Sequence, residues 1–372
     1  MKKNPNERYQ KFQDLQKDLA VVYQAIAGKT YSPLHPREFK VEALISRGAS
    51  LDNLGLYEVA LTCYDYAIEL DPFEIKALIN KAYCLNALGR YDESILYSDK
   101  ALKIDLKSRE ATGNKGVSFF KLKRYEEAIL LFDSAIELAP WDSSIWMNKG
   151  TCLLNLGRYE EAIDCFNTAI DINPNFSEAF KGNGNALSKL ELYEEAIENF
   201  DKALKIDPYD KSAWNSQAIA FAHLKDFQSA LVCSERALEI DNKYCDAYLT
   251  KSTTLLRMGR KEEAIEPLNQ LLKIDPFYQI AWKQKGVILY ELEKLTESLV
   301  CFDKATEIFP TDVISLKNKG MVLERLGFYN ESIDCLNKVL EIEPTDTVSL
   351  GQKGVILGKL GFYEDSINCF SP

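Results

Sequence analysis

From Val41 onward the chain repeats one pattern every 34 residues, ten times, the tenth copy breaking off at Pro372. Self-similarity at such a period makes a stack of like units, each burying its apolar face on its neighbours. The copies run 41–74, 75–108, 109–142, 143–176, 177–210, 211–244, 245–278, 279–312, 313–346 and, in part, 347–372. At position 8 stand Gly48, Ala82, Gly116, Gly150, Gly184, Ala218, Ser252, Gly286, Gly320 and Gly354, nothing larger than serine. Position 20 holds only alanine or serine, from Ala60 and Ser94 to Ser332 and Ser366. Small residues at fixed spacing mark places where two backbones nearly touch.

The spacing within one copy predicts two helices. In residues 143–176, Trp146, Gly150 and Leu153 lie at i, i+4, i+7 and form one helical stripe, helix A. Gly157 breaks it, and Tyr159, Ala162, Phe166 and Ala169 form a second, helix B. Pro174 then ends the unit, as proline does in seven of the nine complete copies.

These residues resemble the tetratricopeptide repeat over 41–372, with its Trp, Leu-Gly, Tyr, Ala, Phe and Pro in order. The resemblance implies an all-α solenoid: a right-handed superhelix of stacked helix–turn–helix units whose concave wall is built from the A helices. Two departures stand out. Position 7, usually leucine in the family, is basic in eight copies, from Arg47 and Lys81 to Lys353, so an aliphatic stem is expected to cover the next helix while the charge reaches water. The seventh copy is irregular, with Lys261 for tyrosine, Leu271 for alanine and Pro267 inside helix B, which predicts a kink or looser packing.

Residues 1–40 carry eight basic against four acidic side chains, while the whole chain has net charge −11. A chain of that sign is a poor ligand for nucleic acid or an anionic membrane. Tyr9, Phe12, Leu15, Leu19, Val22 and Ile26 recur at helical spacing, so an amphipathic helix over residues 7–27 is expected to cap the first copy. No signal-peptide core and no long uncharged apolar stretch is present, which points to a cytoplasmic protein. Six of nine cysteines share position 23 and none forms a CxxC pair, so they read as small packing residues in a reducing compartment.

Nothing in the chain predicts catalysis, a metal site or a cofactor. The pairs Glu126–Glu127, Glu160–Glu161, Glu194–Glu195 and Glu262–Glu263 open B helices, where negative charge suits the helix dipole, and adjacent residues do not face each other. Ala27-Gly28-Lys29-Thr30 lacks the earlier glycine of a phosphate loop, Tyr23 standing there instead.

By resemblance, positions 2, 5, 6, 9, 12 and 13 of helix A face the concave groove. Position 6 is polar in every copy but one and includes Asn80, Asn114, Asn148 and Asn318. An asparagine row can pair with the backbone of an extended peptide, as in the repeat region of O-linked N-acetylglucosamine transferases, or be merely a solvated helix-compatible choice. Ile79, Tyr83, Phe120 and Met147 make the wall of copies two to four apolar, and Lys283, Lys317 and Arg325 make that of copies eight and nine basic, suited to an acidic segment. The chaperone-tail clamp is incomplete: Lys181 and Asn185 have no basic pair two copies on. The leading expectation is a scaffold binding an extended protein segment. The alternatives are the substrate-recruiting arm of a glycosyltransferase-like enzyme lacking its catalytic domain, or an assembly module that self-associates through the uncapped last copy.

Overall fold

The structure, a computed structural model, describes residues 40–370, and the helix expected over 7–27 lies outside them. The described residues form twenty helices and no strand, A and B helices alternating. In order they are α1 (Val41–Asn53), α2 (Tyr57–Leu70), α3 (Ile75–Ala87), α4 (Tyr91–Ile104), α5 (Arg109–Lys121), α6 (Tyr125–Leu138), α7 (Ser143–Asn155), α8 (Tyr159–Ile172) and α9 (Ser177–Lys189). Then follow α10 (Tyr193–Ile206), α11 (Lys211–His223), α12 (Phe227–Ile240), α13 (Cys245–Arg257), α14 (Lys261–Ile274), α15 (Gln279–Glu291), α16 (Leu295–Ile308), α17 (Val313–Leu326), α18 (Tyr329–Ile342), α19 (Thr347–Lys359) and α20 (Tyr363–Phe370). They belong to two compact units, one ending at Leu190 and holding α1–α9, the other starting at Glu191 and holding α10–α20.

Each A helix is reversed into its B helix by one residue in the left-handed region at position 15. Six copies place glycine there, Gly55 and Gly157 among them, while Lys123, Glu191, Lys225 and Glu293 adopt φ of 60–63° despite their side chains. Where A crosses B, positions 8 and 20 meet. Ser94 Oγ donates to the Ala82 carbonyl (2.8 Å), Ser298 to Gly286 (2.7 Å) and Ser332 to Gly320 (2.8 Å). Ser252 makes the bond in reverse, from position 8 to the carbonyl of Ala264 (2.7 Å). A serine is admitted on either side of the crossing because a carbonyl within reach satisfies its hydroxyl.

The core ring at position 24 sets what position 8 can be. Tyr64, Phe132, Phe166 and Phe302 are almost fully buried. A Cβ on Gly48, Gly116, Gly150 or Gly286 would come within 2.6–2.9 Å of the ring in its own copy. Ser98 and Ser234 replace the ring in two copies, and there position 8 is Ala82 and Ala218.

Successive copies are joined by a polar ladder. The position-7 lysine reaches back to position 25 of the preceding B helix: Lys115 to Asp99 (2.7 Å), Lys149 to Asp133 (2.6 Å), Lys251 to Glu235 (2.8 Å), Lys319 to Asp303 (2.8 Å), and Lys81 to Asp65. Where position 25 is the amide Asn167, it accepts from Asn183 (2.6 Å), and Asp201 accepts from Gln217 (2.6 Å). The ammonium groups of these five lysines, expected in open water, thus go to a neighbour's carboxylate. At the junctions, Asp71, Asp207 and Asp275 accept from the backbone N–H two residues on, an Asx turn. Asp142, Asp210, Asp312 and Asp346 then cap the next A helix.

Pro267 does not interrupt its helix. α14 runs unbroken over the same 14 residues as other B helices, with Leu268 and Leu271 fully buried. Both belong to one buried cluster with Leu255, Ala264 and Ile288, so the irregular copy keeps a closed core there.

Candidate groove along the A helices

In the first unit a groove of about 620 Å³ runs across α1, α3, α5 and α7. Asn80, Asn114 and Asn148 line it, one amide from each of three successive A helices, together with Ile79, Tyr83, Val117 and Ile145. The 34-residue period places the amides in line, because equal spacing along equal helices returns each to the same face.

The amides are not equivalent. Asn114 Nδ2 already donates to the Ile79 carbonyl (3.1 Å), while Asn86 Nδ2 donates to the Asn114 carbonyl (2.8 Å), stitching α3 to α5. Asn80 lies beside the buried Tyr64 hydroxyl. Farther along the row, Gln284 donates to Thr253 (3.1 Å) and Gln352 to Glu324 (3.1 Å), so part of it holds the stack together. The exception in the row, Gly182, has a physical cause: a Cβ there would stand 2.6 Å from the Phe166 ring.

Not all the sequence-predicted residues converge. Phe120 and Met147 are half-buried against the core of the first unit, Phe120 with its ring 5.8 Å from that of Tyr125. Asn318 is half-buried on α17 in the second unit. The expected basic wall is locally neutralised: Lys283 faces Asp312 (3.5 Å), Lys317 pairs with Asp346 (2.8 Å), and Arg325 is held by Glu293 with its guanidinium 5.2 Å from the Tyr290 ring centroid. The acids that cap α17 and α19 take up the charge of the preceding copy.

The groove also contains residues the sequence reading passed over. Arg109 pairs with Glu110 (2.8 Å) and lies 3.6 Å from Asp142, and both acids line the groove. Asp52, at the far end with Asn53 and Tyr57, accepts from the Cys84 thiol, and burial raises its carboxyl above the usual range. Burial, then the charge of Asp52, pushes Cys84 up to about 12 and raises the Tyr83 phenol. Asp52, Asn53 and Glu110 occupy positions 12, 13 and 2, so repeat position was the signal that pointed to them.

Groups that suggest chemistry are otherwise engaged. The second glutamate of three pairs is clasped by the arginine before its helix, Arg124–Glu127 and Arg158–Glu161 at 2.6 Å and likewise Arg260–Glu263. His223 stacks on Tyr193 with centroids 4.6 Å apart, and burial, then Arg257, lowers its pKa. All nine cysteines are free thiols and seven are buried. Burial lifts Cys152 and Cys233 to about 12, far from the thiolate a nucleophile requires. Among the described residues no helix is long and apolar enough to cross a membrane, and no group of three or more His, Cys, Asp or Glu is placed to hold a metal.

Paired helices stacked at a fixed period, with no strand among the described residues, define a helical-hairpin repeat solenoid. Models described as tetratricopeptide repeat match residues 46–108, 99–143, 143–176, 177–210, 249–313 and 316–346, together well over half of the chain. The chain belongs to the tetratricopeptide repeat family, whose repeats typically serve as protein–protein interaction scaffolds.

Solved structures agree on the fold. A tetratricopeptide repeat protein from Parabacteroides merdae is 16% identical with TM-score 0.53, over 67% of this chain and 98% of that one. Yeast Tom70 is 14% identical with TM-score 0.50, over 89% and 90%. Pseudomonas aeruginosa pilF is 20% identical with TM-score 0.51, over 57% and 97%. No curated protein sequence matches the chain.

Proposed function

We propose that this protein is a non-catalytic scaffold whose A-helix groove holds an extended segment of a partner protein. The observation that carries the proposal is the alignment of Asn80, Asn114 and Asn148 in one groove of the first unit. An extended strand offers alternating C=O and N–H groups, and amides at regular intervals pair with them whatever the side chains. Asn114 has one of its two amide N–H donors committed, so it offers its Oδ1 as acceptor and its second N–H. Ile79, Val117 and Ile145 supply apolar contact between the amides. The unpaired, buried thiols fit a reducing compartment such as the cytoplasm.

The test is the triple variant Asn80→Ala, Asn114→Ala, Asn148→Ala, compared with the parent chain for affinity toward a peptide selected from a random display library. A loss of about tenfold or more, with an unchanged circular dichroism spectrum, is expected from removing buried hydrogen-bond partners. Unchanged affinity sinks the groove as the binding site.

A further inference from the structure

We infer that the groove selects a segment carrying a lysine or arginine, whose cationic end sits at Asp52 against the rings of Tyr57 and Tyr83. This rests on the peptide-groove reading above and adds to it the chemistry of the guest.

The argument begins with charge. Four ionised side chains line the groove, Asp52, Glu110, Asp142 and Arg109. The arginine is shared by two of the acids, at 2.8 Å and 3.6 Å. Asp142 is further held as the cap of α7, accepting from the Ser144 N–H at 3.0 Å. Asp52 has no such neutralisation among the described residues: burial and the Cys84 thiol act on its carboxyl, and none of the described salt bridges reaches it. A carboxylate partly withdrawn from water, with no cation paired to it among the described residues, favours one.

Aromatic faces sit at the same end. The Tyr57 and Tyr83 rings meet edge to face, centroids 6.5 Å apart, and Tyr83 is 49% exposed. A ring beside a carboxylate attracts an ammonium or guanidinium through its quadrupole while covering the aliphatic stem. An acidic guest would meet an excess of negative charge there, so the same groups that attract one class repel the other. A depression of about 500 Å³ in the other unit carries a smaller excess, since Lys251 pairs with Glu235 and Arg260 with Glu263, leaving Glu266, which accepts from Gln270.

The experiment pans random decapeptides on the full chain and reads the composition of those that bind in competition with one another. Lysine or arginine is expected to be enriched at one site, with aliphatic residues at others. The best peptide, labelled with fluorescein, is then titrated by anisotropy beside a copy whose basic residue is norleucine. On the parent chain the norleucine copy binds about tenfold more weakly, and on Asp52→Asn the two differ by about threefold or less. Peptides that lose affinity on the triple asparagine variant yet carry no basic residue, or tolerate norleucine, overturn the inference and leave the groove reading standing. If no peptide depends on the asparagines, the groove reading fails and takes this inference with it. Should Asp52→Asn not fold, the norleucine comparison on the parent chain decides alone.

Discussion

The residue at position 8 and the residue at position 24 behave as a single choice. Gly116 faces Phe132, where a Cβ would stand 2.7 Å from the ring, whereas at Gly320 the nearest atom of Leu336 is 3.6 Å away. Gly116→Ala should therefore destabilise the chain by about 1–3 kcal/mol through overpacking, while Gly320→Ala gains roughly 0.5–1 kcal/mol from helix propensity. Urea denaturation of the two variants checks this, and equal effects of the same sign would show that the ring does not govern the glycine. The invariance of position 8 was legible in the sequence, but its pairing with position 24 was not, because only packing reveals which ring lies over which backbone. A second residue-scale prediction concerns Asp346, which Lys317 and then Ser349 hold down to about 2. A depressed folded pKa gives stability that is present above the ordinary aspartate range and is lost as pH falls through about 2. Asp346→Ala should cost about 1 kcal/mol at neutral pH as a lost helix cap, and the gap should close on acidification across that window. A melting-temperature difference that persists at the lowest pH contradicts this.

At the scale of helices, two features of the loops and ladders set local stability. Lys123 adopts φ of 61° where most copies use glycine. Lys123→Gly should stabilise by roughly 0.5–1 kcal/mol, the relief of left-handed strain exceeding the entropy glycine adds to the unfolded chain. A fall in melting temperature would show that the Lys123 side chain makes a compensating contact. The ladder from position 7 to position 25 was half legible. The row of lysines is visible along the sequence, yet their partners lie 16 residues earlier on another helix, and only stacking brings the two together. A double-mutant cycle on Lys115 and Asp99 should give a coupling of about 0.2–1 kcal/mol that disappears in molar salt. The helix continues through Pro267 for a related reason: with Leu268 and Leu271 buried beside it, one missing N–H does not end it.

For the molecule as a whole, the period alone implied the fold, because each copy needs its neighbours to bury its apolar face. The groove was legible in outline through repeat positions, but its charge was not, since Arg109 had to be seen between Glu110 and Asp142 before the excess at Asp52 became apparent. In a repeat array, protection from hydrogen exchange follows how much of each helix is covered. Helix α20 has no buried residue, with Tyr363, Ile367 and Phe370 all more than half exposed, so its amides should exchange first among the described helices. Protection equal to that of α8 would reveal a contact made by those side chains in solution.

Gly182 gives the scaffold a ruler. A side chain at Gly182 would meet the Phe166 ring, so no amide stands where a fourth rung would lie in the first unit, and on the proposed groove reading a guest strand would be gripped by its main chain over three rungs only. Lengthening a ligand past Asn148 should then add no main-chain recognition, and sequence beyond that point is free to vary without penalty to its hold.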